Sequence, residues 1–275
     1  MAIITLTTDF GEKDHFTGAI KGAIYSELLD LKIVDISHAV SPFNIPEASY
    51  IILNGYRSFP KGTIHIIGID SELSAENKHI AVKLDGHYFV CANNGIMSMI
   101  CAEIVPEKIV EINIHDKIET SFTVLDVFVK VACHIARGGT LEVIGKVINS
   151  IKPIKNLIPF VNDEQNQIIG SVIYVDNYGN VVTNIKRKFF ETIQKTRAYE
   201  ISARSHKFKK VHNKYSAIVN FEIEASKRND EGKGLVVFNS SGYLEIAMYK
   251  SNASTGGAST LMGLKAMDTV TVNFF

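Results

Sequence analysis

The chain lacks net charge, a cysteine framework and any long hydrophobic run. Its 29 basic residues balance its 29 acidic residues, so the positive footprint of a protein that binds nucleic acid or anionic membranes is missing. Its one dense cationic stretch, residues 207–214, is expected to be the solvated face of a strand. An uncharged small molecule is a better expected partner than nucleic acid or a membrane.

The three cysteines, Cys91, Cys101 and Cys133, form no Cys-X-X-Cys pair and have no histidine at metal-ligand spacing. We therefore expect no disulfide framework, no metal and no cofactor. No apolar stretch is long enough to cross a bilayer, and no basic leader precedes the first apolar run, unlike a secretory signal. These features predict a cytoplasmic protein.

What the first half does contain is an alternation of strand and helix patterns. Strand-like runs lie at residues 3–7, 32–37 and 63–70, with helical spacing at 16–29 and 46–59 between them. This alternation predicts a layered α/β domain with a mostly parallel sheet, residues 1–150. Within it, Asp85-Gly86 between two apolar runs predicts an antiparallel hairpin.

The second half has a different pattern. Residues 151–167 have no strong periodicity and contain two prolines and several asparagines, which predicts a linker. Residues 168–275 consist of alternating strand-like runs, starting with a hairpin pattern around Tyr178-Gly179-Asn180 and including a run near Ala217. We predict a smaller all-β domain here, a barrel-like fold or a sandwich.

Asp9 is the first candidate for a functional residue because it directly follows the first predicted strand. Ligands of open α/β sheets bind beyond the carboxyl ends of the strands. A carboxylate there can accept both hydroxyls of a ribose, and the positive end of the next helix favours negative charge at the same place. On this residue alone, a turn or helix-capping aspartate is an equally good interpretation.

Five segments occur together in chain order: TTDFGEKDHFTGAIKG, HAVSPFNI, ANNGIMS, VDNYGNVVTNI and NSSGYLEIA. Together they resemble the S-adenosylmethionine hydroxide adenosyltransferase family, whose fold is shared by S-adenosylmethionine-dependent fluorinases and chlorinases. The resemblance spans nearly the whole chain, and VDNYGNVVTNI is its most specific motif. It implies a homotrimer that binds its substrate between the N-terminal domain of one subunit and the C-terminal domain of a neighbour.

The resemblance also implies substrate-binding roles in the first domain. Asp9 matches the aspartate that binds the ribose, and Asp14 matches a residue near the methionine end of the ligand. Phe43 matches an aromatic side chain that packs on the ligand, since an aromatic face stacks well on adenine. Taken alone, Phe43 is better interpreted as a core residue.

Four further substrate-binding residues follow from the resemblance in the second domain. Asp176 matches the carboxylate that meets the methionine ammonium group, and Tyr178 matches an aromatic wall. Asn180 matches an amide that binds the adenine edge, and Ser240 matches a hydroxyl that faces the methionine carboxylate. Alone, Tyr178-Gly179-Asn180 would be interpreted as a hairpin turn.

The family's hydrolases are thought to hold the attacking water with an Asp-Arg-His set, and this sequence departs from that set. Asp70 matches the aspartate, but Asn77 stands in place of the arginine and Thr123 in place of the histidine. Asparagine and threonine can bind water but cannot act as a base near neutral pH. Lys78 or His79 would fill the gap only if the alignment shifts; otherwise both are expected to be solvent-facing strand residues.

Three functions stay open at this point. The first is a hydrolase that converts S-adenosylmethionine to adenosine and methionine, with Asp70 as its water-handling carboxylate. The second is a protein that binds S-adenosylmethionine or adenosine and has lost most of its catalysis. The third is a halide-using adenosyltransferase, which the bulk of Val124 and the negative charge of Asp70 both disfavour.

Overall fold

The computed structural model describes residues 2–101, 104–114, 120–154, 158–251 and 256–275. The chain divides into two compact units, Met1–Lys155 and Asn156–Phe275. Within the described ranges, none of the helices has the length and apolar character needed to cross a membrane. The two units are described separately below.

The described residues of the first unit form a seven-stranded sheet with helices. The strands are β1 (Ile3–Thr8), β2 (Lys32–Ser37), β3 (Ile64–Gly68), β4 (His79–Leu84), β5 (His87–Ala92), β6 (Lys108–Ile112) and β7 (Gly145–Val147). The α-helices are α1 (Phe16–Glu27), α2 (Ile45–Gly55), α3 (Ile96–Ile100) and α4 (Val129–Ala136), and a π-helical turn, Val124–Phe128, leads into α4.

The sheet is mixed, with the strand order β2-β1-β3-β5-β4-β6-β7. Strands β2, β1, β3 and β5 run parallel, whereas β4, β6 and β7 join through antiparallel pairings. The expected mostly parallel sheet therefore covers only four of its seven strands. The reversal begins at the predicted hairpin, where Asp85 and Gly86 both have positive φ, 50° and 72°, as a tight two-residue turn requires.

Helices cover both faces of this sheet. One cluster of buried residues joins Ile4 and Leu6 of β1 to α1 and α4. A second cluster joins Val82 and Phe89 of the hairpin to α2 and α3. Because β-strand side chains alternate between faces, the two clusters lie on opposite faces of the sheet and the unit has three layers.

Two of the buried histidines of the first unit, His65 and His87, lie side by side. His65 is 1% exposed, with its Nδ1 2.6 Å from Thr5 Oγ1 and its Nε2 3.2 Å from His87 Nδ1. The edge of the Tyr56 ring packs against both imidazoles. Burial, and to a lesser extent the nearby His87, lower the pKa of His65 to about 3. His65 is therefore kept uncharged in the folded protein near neutral pH.

The described residues of the second unit form a nine-stranded sheet, in the order β12-β11-β16-β9-β10-β15-β14-β13, with β8 paired to β9. Its strands are β8 (Phe160–Val161), β9 (Gln167–Val175), β10 (Val181–Lys186), β11 (Tyr199–Ala203), β12 (His206–Phe208), β13 (Val211–His212), β14 (Gly234–Phe238), β15 (Tyr243–Met248) and β16 (Thr269–Phe274). Two helices, α5 (Arg187–Gln194) and α6 (Ala258–Leu261), accompany them.

Two features of this unit differ from the sequence pattern. Strand β8 falls within the stretch predicted as a linker and pairs with β9. The strand predicted near Ala217 is wrong, because Tyr215–Ile218 form a 3-10 helix closed by the hydrogen bond from Ala217 N–H to Lys214 O. The run of apolar residues there is too short to distinguish a strand from a helical turn.

The buried histidine pair generates a prediction about acid stability. The folded-state pKa of His65 lies below the ordinary value of about 6.5, so stability is lost as the pH falls below 6.5. From pH 7.5 to pH 5 this group should lower the free energy of unfolding by about 2 kcal/mol. Urea denaturation at both pH values measures the free energy of unfolding of wild-type protein and of His65→Gln. The decrease in this free energy between pH 7.5 and pH 5 should be about 2 kcal/mol smaller in the variant. The exposed His15 supplies the control, His15→Gln; an equal loss in all three proteins would contradict the prediction.

Candidate functional site

The carboxyl ends of the four parallel strands meet at one edge of the first unit's sheet, because β2, β1, β3 and β5 point the same way. His38 follows β2, Asp9 follows β1, Asp70 follows β3 and Asn94 follows β5. Three of the sequence motifs therefore converge on this edge. It is the place where open α/β sheets bind ligands.

Hydrogen bonds tie the first two motifs together around Asp9. Its Oδ2 accepts the backbone N–H of Phe43 at 2.8 Å, and the Gly11 N–H donates to the His38 carbonyl at 2.8 Å. Beneath them, Thr8 Oγ1 lies 2.7 Å from His38 Nδ1. The position of Asp9 is thus fixed by a contact 34 residues away in sequence.

Burial raises the pKa of Asp9, and the negative charge of Asp70 raises it further, although backbone N–H groups, including that of Phe43, act in the opposite direction. Since Asp9 and Asp70 follow the neighbouring parallel strands β1 and β3, the structure places these two predicted residues at the same edge of the sheet. A positively charged or hydrogen-donating ligand near both carboxylates would relieve their repulsion.

The other predicted binding residues of this unit are at the surface. Phe43 is 73% exposed, so the alternative interpretation of this side chain as core is wrong. Asp14 is exposed in the turn before α1. The substrate-binding roles of both stay predictions.

Two residues of this edge have strained backbones. Phe43 has a φ of 60° and Asp70 a φ of 43°, in the left-handed region that side chains other than glycine rarely adopt. Asn94 holds the strained segment by donating from Nδ2 to the Ile69 carbonyl at 2.9 Å and to the Asp70 carbonyl at 3.3 Å. Strain of this kind persists only where surrounding contacts maintain it, and it is common at ligand sites.

Asp70 is the first member of a hydrogen-bonded chain of three side chains. Asn77 Nδ2 donates to Asp70 Oδ2 at 3.3 Å, and Lys152 Nζ donates to Asn77 Oδ1 at 3.2 Å. The structure thus brings the predicted pair Asp70 and Asn77 together. Sequence reasoning missed Lys152, which is 75 residues from Asn77 and lies in the stretch interpreted as a linker.

The third predicted water-handling residue, Thr123, contacts the backbone next to Asp70. Its hydroxyl donates to the Ser71 carbonyl at 2.7 Å. His79 Nε2 lies 3.0 Å from the same oxygen, and this nitrogen must carry a proton because a carbonyl oxygen only accepts. The expectation of a solvent-facing His79 is wrong: the side chain is fully buried, since β4 is an interior strand with both faces covered.

Val124 packs directly beneath this edge. A Cβ on Gly68 would lie 3.1 Å from Val124 Cγ2 and 3.2 Å from the Phe10 ring, so a larger residue at this position would require these side chains to shift by a few tenths of an ångström. Val124 is fully buried and begins the π-helical turn. Such turns are rare and frequently occur at functional sites.

In the second unit, Asp176, Tyr178 and Asn180 form one tight turn between β9 and β10. Asp176 Oδ1 accepts the backbone N–H groups of Tyr178 at 2.9 Å and Asn180 at 2.8 Å, and its Oδ2 accepts Asn180 Nδ2 at 2.9 Å. Gly179 supplies the positive φ of 77°. The structure brings these three predicted residues together, with Tyr178 63% and Asn180 6% exposed.

The turn is packed from one side by the chain leading into α6. The Ser259 N–H donates to the Gly179 carbonyl at 2.9 Å. A Cβ on Gly257 would lie 2.7 Å from both Gly179 Cα and the Tyr178 carbonyl oxygen. The two backbones therefore approach more closely than a side chain would allow.

Ser240, the last predicted residue, is exposed in the connection between β14 and β15. Its neighbour Asn239 accepts the backbone N–H groups of Ser241 and Tyr243 at its Oδ1, both at 3.1 Å. The described residues include no group of three or more His, Cys, Asp or Glu that could hold a metal ion.

Comparisons with known proteins identify relatives that cover most of the chain. The chain is 31% identical to an (R)-S-adenosyl-L-methionine hydrolase from Methanocaldococcus jannaschii, over 92% of this chain and 90% of the relative. It is 22% identical to a fluorinase from Actinopolyspora mzabensis, over 69% of this chain and 73% of that enzyme. An uncharacterised conserved protein from Thermotoga maritima superimposes with a TM-score of 0.82, at 28% identity, over 99% of this chain and all of that one.

Both halves of the chain also match the sequence models of one family. Residues 4–145 match the SAM hydroxide adenosyltransferase N-terminal domain, and residues 170–271 match the C-terminal domain. With matches to both domains, in the order in which the motifs occur, the chain belongs to the SAM hydroxide adenosyltransferase family.

Proposed function

We propose that this protein hydrolyses S-adenosyl-L-methionine to adenosine and L-methionine. Family membership and the similarity to relatives named as hydrolases support the proposal. The observation that carries it is the placement of Asp9 and Asp70 directly after the neighbouring parallel strands β1 and β3, at the carboxyl edge of the sheet. One carboxylate binds the ribose there, and the other is available for water.

The proposed binding residues come from the first unit of one subunit and the second unit of a neighbour in the homotrimer that the resemblance implies. Asp9 accepts the ribose hydroxyls, and the exposed ring of Phe43 packs on the nucleoside. In the second unit, Asn180 binds the adenine edge and Tyr178 forms an aromatic wall. Asp14, Asp176 and Ser240 meet the methionine portion.

The reaction itself is a displacement at the 5′ carbon of the ribose. The water oxygen forms a bond to this carbon while the bond from carbon to sulfur breaks, and its electron pair stays on sulfur. Methionine leaves as a neutral thioether, so no general acid is required. The proton of the attacking water passes to Asp70, and the site contributes chiefly alignment and partial desolvation of the water.

Lys152 and Asn77 take over part of the role of the missing arginine. The Lys152 ammonium group donates to Asn77 Oδ1, and Asn77 Nδ2 donates to Asp70 Oδ2. This chain orients one oxygen of Asp70 and leaves Oδ1 for the water. Thr123 and His79 are engaged with the Ser71 carbonyl, so they maintain the loop and do not serve as bases.

Two other functions would use the same nucleoside site. A binding protein without turnover is the alternative, because Asn77 and Thr123 replace two water-handling residues. A halide-using adenosyltransferase is less favoured, since a halide beside the Asp70 carboxylate would be repelled in a low-dielectric site. The cytoplasmic location and the homotrimer stay predictions; light scattering of purified protein would test the trimer.

The hydrolase proposal predicts that Asp70→Asn stops turnover but preserves binding. Asparagine keeps the shape of the side chain but cannot accept the water proton, so we expect kcat to fall about a hundredfold or more. Adenosine and methionine are measured by chromatography, and the affinity for S-adenosylmethionine is measured by calorimetry. The exposed Asp30 supplies the control, Asp30→Asn. Adenosine formation at the wild-type rate in Asp70→Asn would refute the assigned role, and binding without turnover in the wild-type protein would favour the alternative.

Asp9→Asn should instead weaken binding. The amide oxygen can still accept the Phe43 N–H, so the loop is preserved, but the charged acceptor for the ribose hydroxyls is lost. We expect the Kd values of S-adenosylmethionine and adenosine both to rise about tenfold or more, because both ligands carry the ribose. Calorimetry with each ligand measures this effect, and unchanged Kd values would exclude Asp9 from the ribose site.

Lys152→Met should lower kcat about two- to fivefold with little change in KM. The effect is small because the ammonium group is exposed and acts through Asn77. Lys152→Arg, which keeps the positive charge, should retain most of the activity. Lys146→Met, on the exposed edge strand β7, is the matched control; equal kcat values in both methionine variants would contradict a role for Lys152.

A further inference from the structure

Glu245 is a carboxylate buried in the second unit, only 3% exposed. It lies on β15, where its neighbours Leu244 and Ile246 point into the main core of the unit. Because strand side chains alternate, Glu245 faces the opposite side of the sheet. There it lies across from Val237 of β14.

Both carboxylate oxygens of Glu245 accept hydrogen bonds. Tyr215 Oη, from the 3-10 helix that packs near this face, donates to Oε1 at 2.8 Å. Asn239 Nδ2 donates to Oε2 at 3.0 Å. Buried charged groups are costly unless they are paired in this way.

The contact with Glu245 fixes the orientation of the Asn239 amide. Since Nδ2 donates to the carboxylate, Oδ1 must point the other way, toward the backbone N–H groups of Ser241 and Tyr243. These two bonds shape the turn that carries Ser240. Glu245 therefore determines the conformation of this turn through Asn239.

Glu245 is also within electrostatic range of Asp176. Burial raises the pKa of Glu245, the hydrogen bonds from Tyr215 and Asn239 lower it, and the negative charge of Asp176 raises it. Strand pairing supplies the geometry, because Val182 of β10 pairs with Glu245 on one side and with Tyr174 of β9, the strand that Asp176 follows, on the other. A cation bound there would be attracted by both.

We propose that Glu245 is a positioning residue that makes the second unit select the cationic methionine portion of S-adenosylmethionine. The inference rests on the proposed function and deepens it. Glu245 holds the Ser240 turn through Asn239 and adds negative charge behind Asp176. S-adenosylmethionine carries an ammonium and a sulfonium charge, whereas the product adenosine carries neither, so this arrangement favours substrate over product.

The test is the affinity of Glu245→Gln for two ligands, S-adenosylmethionine and adenosine, measured by calorimetry. Glutamine removes the charge, while its amide oxygen can still accept from Asn239 Nδ2 and its NH2 group can donate to Tyr215 Oη. We expect the Kd of S-adenosylmethionine to rise about tenfold, the usual cost of losing a charge-assisted contact. The Kd of adenosine should change less than twofold. The exposed Glu191 of α5 supplies the matched control, Glu191→Gln, which should change neither value.

Tyr215→Phe is the milder second variant in case Glu245→Gln fails to fold. It leaves the carboxylate and Asn239 in place and removes one donor, so we expect a smaller, still selective rise in the Kd of S-adenosylmethionine. Equal losses for both ligands, or no loss for either, would overturn the inference and leave the proposed function intact. Wild-type protein that binds S-adenosylmethionine without hydrolysing it would contradict the proposed hydrolase only. Wild-type protein that does not bind it would overturn both.

Discussion

The parallel pairing of β2, β1, β3 and β5 is the constraint on which the candidate site of the first unit depends. Parallel strands bring their carboxyl ends to one edge, and the residues that follow them are Asp9, His38, Asp70 and Asn94. Hydrogen bonds between the resulting loops then set the details, including the strained backbones of Phe43 and Asp70. Without this shared edge, motifs that lie far apart in sequence would not be brought together.

In the second unit, hydrogen-bonded turns position the candidate site residues. The Asp176 turn satisfies its own backbone N–H groups with a side-chain carboxylate, and the Asn239 turn does so with a side-chain amide. Both turns are held from outside, one by the close approach of Gly257 and the other by Glu245. Two short surface segments are thereby kept in defined conformations by buried or backbone contacts.

Much of this arrangement could be predicted from the sequence, since it depends on local patterns. The alternating strands and helices, the hairpin at Asp85-Gly86 and the tight turn at Gly179 follow from periodicity and turn chemistry. The antiparallel pairings of β6 and β7 are harder to predict from the sequence. The direction of a strand that follows a hairpin depends on the neighbouring strand with which it pairs, and the local pattern does not specify this neighbour. Lys152 and Glu245 could not be predicted, because their roles arise from contacts with residues far away in sequence or on another strand.

The Ser71 carbonyl, which accepts from both Thr123 and His79, couples two positions that are 44 residues apart in sequence. If histidine replaced Thr123, two imidazoles would face the Ser71 carbonyl. The new side chain would compete with His79 for this acceptor and crowd it, since His79 is already buried. Val124 and Gly68 are coupled in the same way, since the larger side chain occupies the space that glycine leaves. The effect of a substitution at position 123 or 124 should therefore depend on the residue at position 79 or 68, respectively.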